Sequence, residues 1–138
     1  MNLYEEQLMN HFKQPVNWGR LDSGNEVCVV ENNPLCGDEV LFYAEIQDYK
    51  VVCRYEVNGC MICKASGSVA CSYLSNHTVI ESSSRVKAGL NFLGDLDMER
   101  IDIPAELSPL QAILPYRARL KCAQLPWIAA QKALQRIL

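Results

Sequence analysis

Three cysteines in this chain stand beside residues that change what a thiol can do. Cys36 lies in Pro34-Leu35-Cys36-Gly37-Asp38, a turn composition that leaves a sulfur accessible and sets a carboxylate two residues away. Cys60 follows Asn58-Gly59 and opens a helical pattern. Its sulfur should meet unpaired backbone N–H groups and the positive end of a helix dipole, surroundings that favour a thiolate. Cys122 is close to Pro126, and a proline is cheap in a helix only within the first turn. A regular terminal helix therefore begins no earlier than about Lys121 to Ala123, placing a third cysteine at a helix N-terminus behind Arg117, Arg119 and Lys121. A longer, kinked helix is the competing arrangement. Three thiolates and one carboxylate would complete a tetrahedral zinc shell; on spacing alone, buried or idle cysteines are an equal alternative.

The other thiols divide differently. Cys63 completes Cys60-Met61-Ile62-Cys63, but no second C-x-x-C exists to make a zinc ribbon, and a thioredoxin-like motif would need a βαβ setting. On a helix Cys63 shares the face of Cys60, near Gly67 and Cys71. It is expected to pack beneath the site, with auxiliary ligand or sulfur relay as the alternative. Cys28 and Cys53, inside strands, and Cys71, inside a helix, are expected to be small packing residues. Seven cysteines in 138 residues, about 5%, fall below the roughly 8–10% of a disulfide scaffold, and the odd count leaves one unpaired. The opening MNLYEEQLMNHF lacks a secretory apolar stretch, and no window approaches the ~20 apolar residues of a membrane span. A reducing, cytoplasmic setting is expected. A net charge of −3 weighs against nucleic acid as a partner.

Positioning these thiols requires secondary structure. The length suffices for a hydrophobic core without disulfide staples, and no linker or repeat divides residues 1–138, which are expected to form one domain. Leu3, Tyr4, Leu8 and Phe12 predict a helix over 2–13, ended by Pro15 and Gly19. Strand character over Glu26–Glu31, Glu39–Gln47 and Val51–Val57, with short connections, predicts antiparallel neighbours. In the third, Val51, Cys53, Tyr55 and Val57 share one face. Helices are predicted from Met61 to about Asn76 and then to about Phe92, with Thr78 as cap and Glu81 at capping-box spacing. Pro104 and Pro109 bracket a short helical turn before a last helix ending at Leu138. Three strands followed by helices make an α+β fold.

The segments HFKQPVNWG, NPLCGD, GCMICKASGS and RLKCAQLPW run in order from position 11 to 127. Together they resemble the U-type iron–sulfur cluster assembly proteins, the IscU, NifU N-domain and SufU group. The resemblance implies a three-stranded antiparallel sheet with helices packed on one face, and one metal site formed by Cys36, Asp38, Cys60 and Cys122. Scaffold-type members carry histidine just before the third cysteine, where this chain has Lys121. Cys60 and Cys122 are 62 positions apart, a long spacing. Both features look like SufU. They imply a zinc-dependent sulfurtransferase that takes persulfide sulfur from a SufS-type cysteine desulfurase and passes it to Suf-type cluster assembly proteins. Cys36 would be the attacking thiolate and Zn2+ the cofactor. Arg119 matches an arginine that lies near the metal in SufU-type proteins. The alternative is a non-catalytic scaffold that holds an iron–sulfur cluster on the same ligands. Cys63 stands where SufU relatives generally have serine, and Gly67 interrupts their Ala-Ser-Ala run.

Other residues carry blander expectations. His11 and His77, near predicted helix ends, are expected to be solvated, and Trp127 to pack. Phe92 and Leu93, exposed between two glycines in Gly89–Leu96, could be core or a docking surface for the desulfurase.

Overall fold

The structure, a computed structural model that describes residues 2–94 and 103–137, begins with helix α1 (Leu3–Lys13). The Asn2 side chain caps it by accepting the Glu5 N–H at 2.9 Å. Strands β1 (Val27–Asn33), β2 (Asp38–Gln47) and β3 (Lys50–Asn58) form an antiparallel sheet in the order β1-β2-β3. Helices α2 (Met61–Leu74) and α3 (Val79–Gly94) follow; the Thr78 hydroxyl accepts the Glu81 N–H at 3.2 Å, as its capping spacing predicts. A 3-10 helix (Ala105–Ala112) and a 3-10 turn (Arg117–Arg119) lead into α4 (Leu120–Ile137). This is the α+β fold expected: α4 packs across β1 and β2, and α2 against β3. No helix among the described residues is long and apolar enough to cross a membrane.

Alternation along the strands builds the core. Val40, Phe42 and Ala44 of β2 and Val51, Cys53 and Tyr55 of β3 turn inward and are fully buried against Leu74, Trp127 and Leu134. Gly67 on α2 lets the Tyr55 ring approach: a Cβ there would meet the ring at 2.4 Å. The Tyr55 hydroxyl donates to the Lys64 carbonyl at 2.5 Å. The outer edge of β3 is covered as well. Gly19 N–H donates to Tyr55 O and Tyr55 N–H to Asn17 O, while Asn76 and His77 exchange bonds with Val51. Edge groups that would otherwise template another chain are thereby paired.

A polar pin joins the two helices that carry site residues. The Ser66 hydroxyl on α2 donates to the Ala123 carbonyl on α4 at 2.6 Å and accepts the Trp127 indole N–H at 3.0 Å. Ser66 and Trp127 are fully buried, so losing either partner would strand a polar group away from water.

Several expectations are corrected. Cys28 is exposed, because on the edge strand β1 the inward position belongs to Val29. Helix α4 starts at Leu120, so Pro126 falls in the second turn and the Cys122 carbonyl has no N–H four residues ahead. Pro109 lies inside its 3-10 helix rather than closing it. Phe92 and Leu93 are buried, which makes them core; residues 95–96 of that stretch, like Leu138, lie outside the described residues. Trp127 packs as expected.

His11 is half-buried rather than solvated. Its Nδ1 lies 2.6 Å from Ser68 Oγ, which also accepts the Val16 N–H at 2.8 Å, tying α1 and the segment after it to α2. Burial lowers the His11 pKa below its ordinary 6.5. The folded protein thus binds fewer protons here than the unfolded chain. The stability linked to this group is present above pH 6.5 and is lost as pH falls toward the depressed folded value. Denaturation midpoints measured from about pH 7.5 to 5.5 should fall for the wild type and fall less for His11→Gln.

Candidate metal centre

Each thiol is held by a local device. Register pairs Asn33 with Asp38, leaving 34–37 as a turn closed by Gly37 N–H to Asn33 O at 2.8 Å, with the Asn33 side chain accepting the Leu35 N–H. Cys36 is exposed on this turn, and Asp38, the first residue of β2, is buried beneath it. Cys60 is the N-cap of α2, with its Sγ accepting the Cys63 N–H at 3.4 Å. Cys122 is the third residue of α4 and is buried. Hairpin turn, helix cap and helix first turn converge on one point.

The Asp38 carboxylate is at its centre. Its Oδ2 accepts from Cys36 Sγ at 3.1 Å and Cys60 Sγ at 3.4 Å, and its Oδ1 accepts the Cys60 N–H at 2.8 Å. Cys122 Sγ is 3.5 Å from Cys36 Sγ. Ligand atoms of Cys36, Asp38 and Cys122 all lie within 4.8 Å of one another, and Cys60 adjoins the group through Asp38. Tetrahedral zinc with ordinary bond lengths separates its S and O ligands by about 3.5–3.8 Å. The contacts of 3.1 Å and 3.5 Å that link Cys36 to Asp38 and to Cys122 are near that, so these three donors fit the ion, with Cys60 adjoining them at 3.4 Å from Asp38.

Sequence missed how the carboxylate reaches this position. A Cβ on Gly59 would lie 2.1 Å from Asp38 Oδ1 and 2.8 Å from Cγ. Gly59 meets Asp38 where the paired ends of β3 and β2 adjoin, a contact between residues distant in sequence that leaves no local signal. Cys63 is fully buried in the first turn of α2 beneath the cluster, as expected. Arg119 is exposed on the 3-10 turn, its backbone N–H bonded to Tyr116 O. His77 lies beside Glu81, away from the centre, at 3.2 Å.

The electrostatics follow from the packing. Burial pushes the Asp38 carboxyl up, but the Cys36 thiol, the Cys60 N–H and the Cys122 and Cys60 thiols together hold it below its ordinary 3.8. The Cys122 thiol is pushed up to about 12, by burial first and then by its contacts with Cys36 and Asp38. Burial and the neighbouring negative groups push Cys63 up as well. A divalent cation among these groups reverses the balance and stabilises the thiolates.

Known proteins share this architecture. The NifU-like N terminal domain family matches residues 3–136. The zinc-dependent sulfurtransferase SufU of Bacillus subtilis is 30% identical over 132 residues, 94% of this chain and 88% of the relative. An iron–sulfur cluster assembly scaffold protein IscU of Thermotoga maritima is 26% identical, covering 98% and 94%. A crystal structure from Fervidobacterium islandicum, described as a candidate scaffold protein for the SUF system, superposes with TM-score 0.78 at 26% identity, over 94% of each chain.

Two outcomes are expected at this centre. Gly59→Ala should displace Asp38, costing about 1–3 kcal/mol in denaturant unfolding and lowering zinc affinity at least about tenfold in chelator competition. Zinc affinity of the wild type should rise with pH, because thiols such as Cys122 must lose protons on binding. Titration calorimetry in buffers of different ionisation enthalpy should detect those protons.

Proposed function

The chain belongs to the family of NifU-like N-terminal domains, and we propose that it serves iron–sulfur cluster assembly as a zinc-dependent sulfurtransferase accepting persulfide sulfur from a SufS-type cysteine desulfurase. Unequal exposure within one cluster carries this reading: Cys36 is exposed, while Asp38 and Cys122 beside it are buried. Leu35, 83% exposed, offers an apolar contact next to the thiol. A partner presenting a persulfide meets Cys36 on an outward turn and finds its supporting groups already in place.

Cys36, Asp38, Cys60 and Cys122 would hold Zn2+, which when bound keeps thiols ionised at neutral pH. Cys36 Sγ attacks the outer sulfur of the desulfurase persulfide. A new S–S bond forms on Cys36, the bond to the desulfurase cysteine breaks, and the electron pair leaves on that cysteine's thiolate, with no net oxidation. Asp38, 3.1 Å from the attacking sulfur, fixes its orientation and exchanges hydrogen bonds as the sulfur moves. Arg119, exposed and three residues before Cys122, supplies a cation that can meet the persulfide anion.

The relatives named as scaffolds support a second reading, in which the same four residues hold a cluster under assembly. One experiment separates the two. After incubation with desulfurase and cysteine, mass spectrometry should find one added sulfur on Cys36, and Cys36→Ala should lose both the adduct and any stimulation of alanine release. A sulfur-free Cys36, together with a transferable brown species on anaerobic iron reconstitution, would support the scaffold instead.

A further inference from the structure

The geometry points to a second step, which rests on the sulfur-acceptor reading: Cys60 and Cys63 form a dithiol that reduces the accepted sulfur to sulfide. Cys60 stands at the margin of the cluster rather than inside it. The close set is Cys36, Asp38 and Cys122; Cys60 touches it through Asp38 Oδ2 at 3.4 Å, the oxygen that Cys36 also contacts at 3.1 Å. On its other side, Cys60 Sγ accepts the Cys63 N–H at 3.4 Å. Cys122 Sγ lies nearer to Cys36, at 3.5 Å, but Cys60 is the thiol that shares an Asp38 oxygen with Cys36 on one side and meets Cys63 on the other.

Backbone geometry sets up the pair. Cys60 has extended φ −76° and ψ 161° as N-cap, which swings its side chain back over the first helical turn, where Cys63 sits. A C-x-x-C at a helix N-terminus is the arrangement used by redox dithiols. Cys63 is fully buried and lies in the field of Asp38, Cys60, Cys122 and Cys36, so it adjoins the cluster while being screened from solvent oxidants.

The chemistry balances without an added reductant for one turnover. The Cys60 sulfur takes the outer sulfur from the Cys36 persulfide; one S–S bond forms, one breaks, and Cys36 is restored. The Cys63 sulfur then attacks the Cys60 sulfur. A Cys60–Cys63 disulfide forms, the bond from Cys60 to the terminal sulfur breaks, and hydrosulfide departs with the Cys63 proton as hydrogen sulfide. The dithiol loses two electrons and the transferred sulfur gains them. A dithiol reductant must then reset the pair before a second turnover. Closing the disulfide also removes Cys60 from the set of donors around Asp38.

The test is a single turnover. Desulfurase is loaded with persulfide, freed of cysteine by gel filtration, and mixed anaerobically with the full chain without reductant. The wild type should release a burst of about one sulfide per chain, and peptide mapping should find Cys60 joined to Cys63. Cys63→Ser should cut the burst by roughly tenfold or more and accumulate persulfide instead. An equal burst from Cys63→Ser overturns the dithiol step, as does a wild-type burst without the Cys60–Cys63 disulfide, a result that needs no variant to fold. Persulfide on wild-type Cys36 with no sulfide release also overturns the step and leaves the acceptor reading standing. No sulfur on any wild-type cysteine overturns both.

Discussion

A carboxylate that is 2% exposed must be met by hydrogen-bond donors or by a cation, and Asp38 is met from three directions. The Cys36 turn, the N-terminus of α2 and the first turn of α4 each deliver a group to it or to its immediate neighbour. Most of the fold near the site can be understood as the means of bringing those termini together. Gly59 is the clearest instance, since any side chain there would occupy the space of the carboxylate. Burial raises the cost of an unpaired charge in this position, so the same packing that excludes water also demands the surrounding donors.

Helix ends are used rather than helix interiors for a physical reason. An N-terminus carries unpaired N–H groups and a positive partial charge, both of which favour sulfur in its anionic form. Such ends are useful only if held at a fixed separation. The Ser66 bridge from α2 to the carbonyl next to Cys122 does this, and the Trp127 indole completes it. Pro126 removes the N–H that would otherwise meet the Cys122 carbonyl, a local irregularity placed beside the cluster.

Much of the fold was legible because it is local. Alternation of apolar residues marked β3, the Thr78 and Glu81 spacing marked the start of α3, and Asn58-Gly59 marked the break before α2. What local patterns missed was decided by neighbours in space. Cys28 sits in an apolar run, yet the outward face of an edge strand leaves it exposed. His11 is a polar residue on a short surface helix, yet Ser68, 57 positions away, receives it. No periodicity encodes either outcome, because each depends on which surface packs above the residue.

The site divides in the same way. From sequence alone come the residue types, their turn or helix-end settings, and a motif order specific enough to indicate the family; these are properties of short segments and survive without the fold. Tertiary structure alone decided that Cys36, Asp38 and Cys122 form the close set, that Cys60 stands at its edge facing Cys63, and that Cys36 is the member left exposed. Those distinctions arise from contacts across as many as 86 positions, set by how α2 and α4 pack on the sheet. Chain order carries the thiols and the carboxylate, but which of them meet and which stay exposed depends on distance and burial, which exist only once the chain has folded.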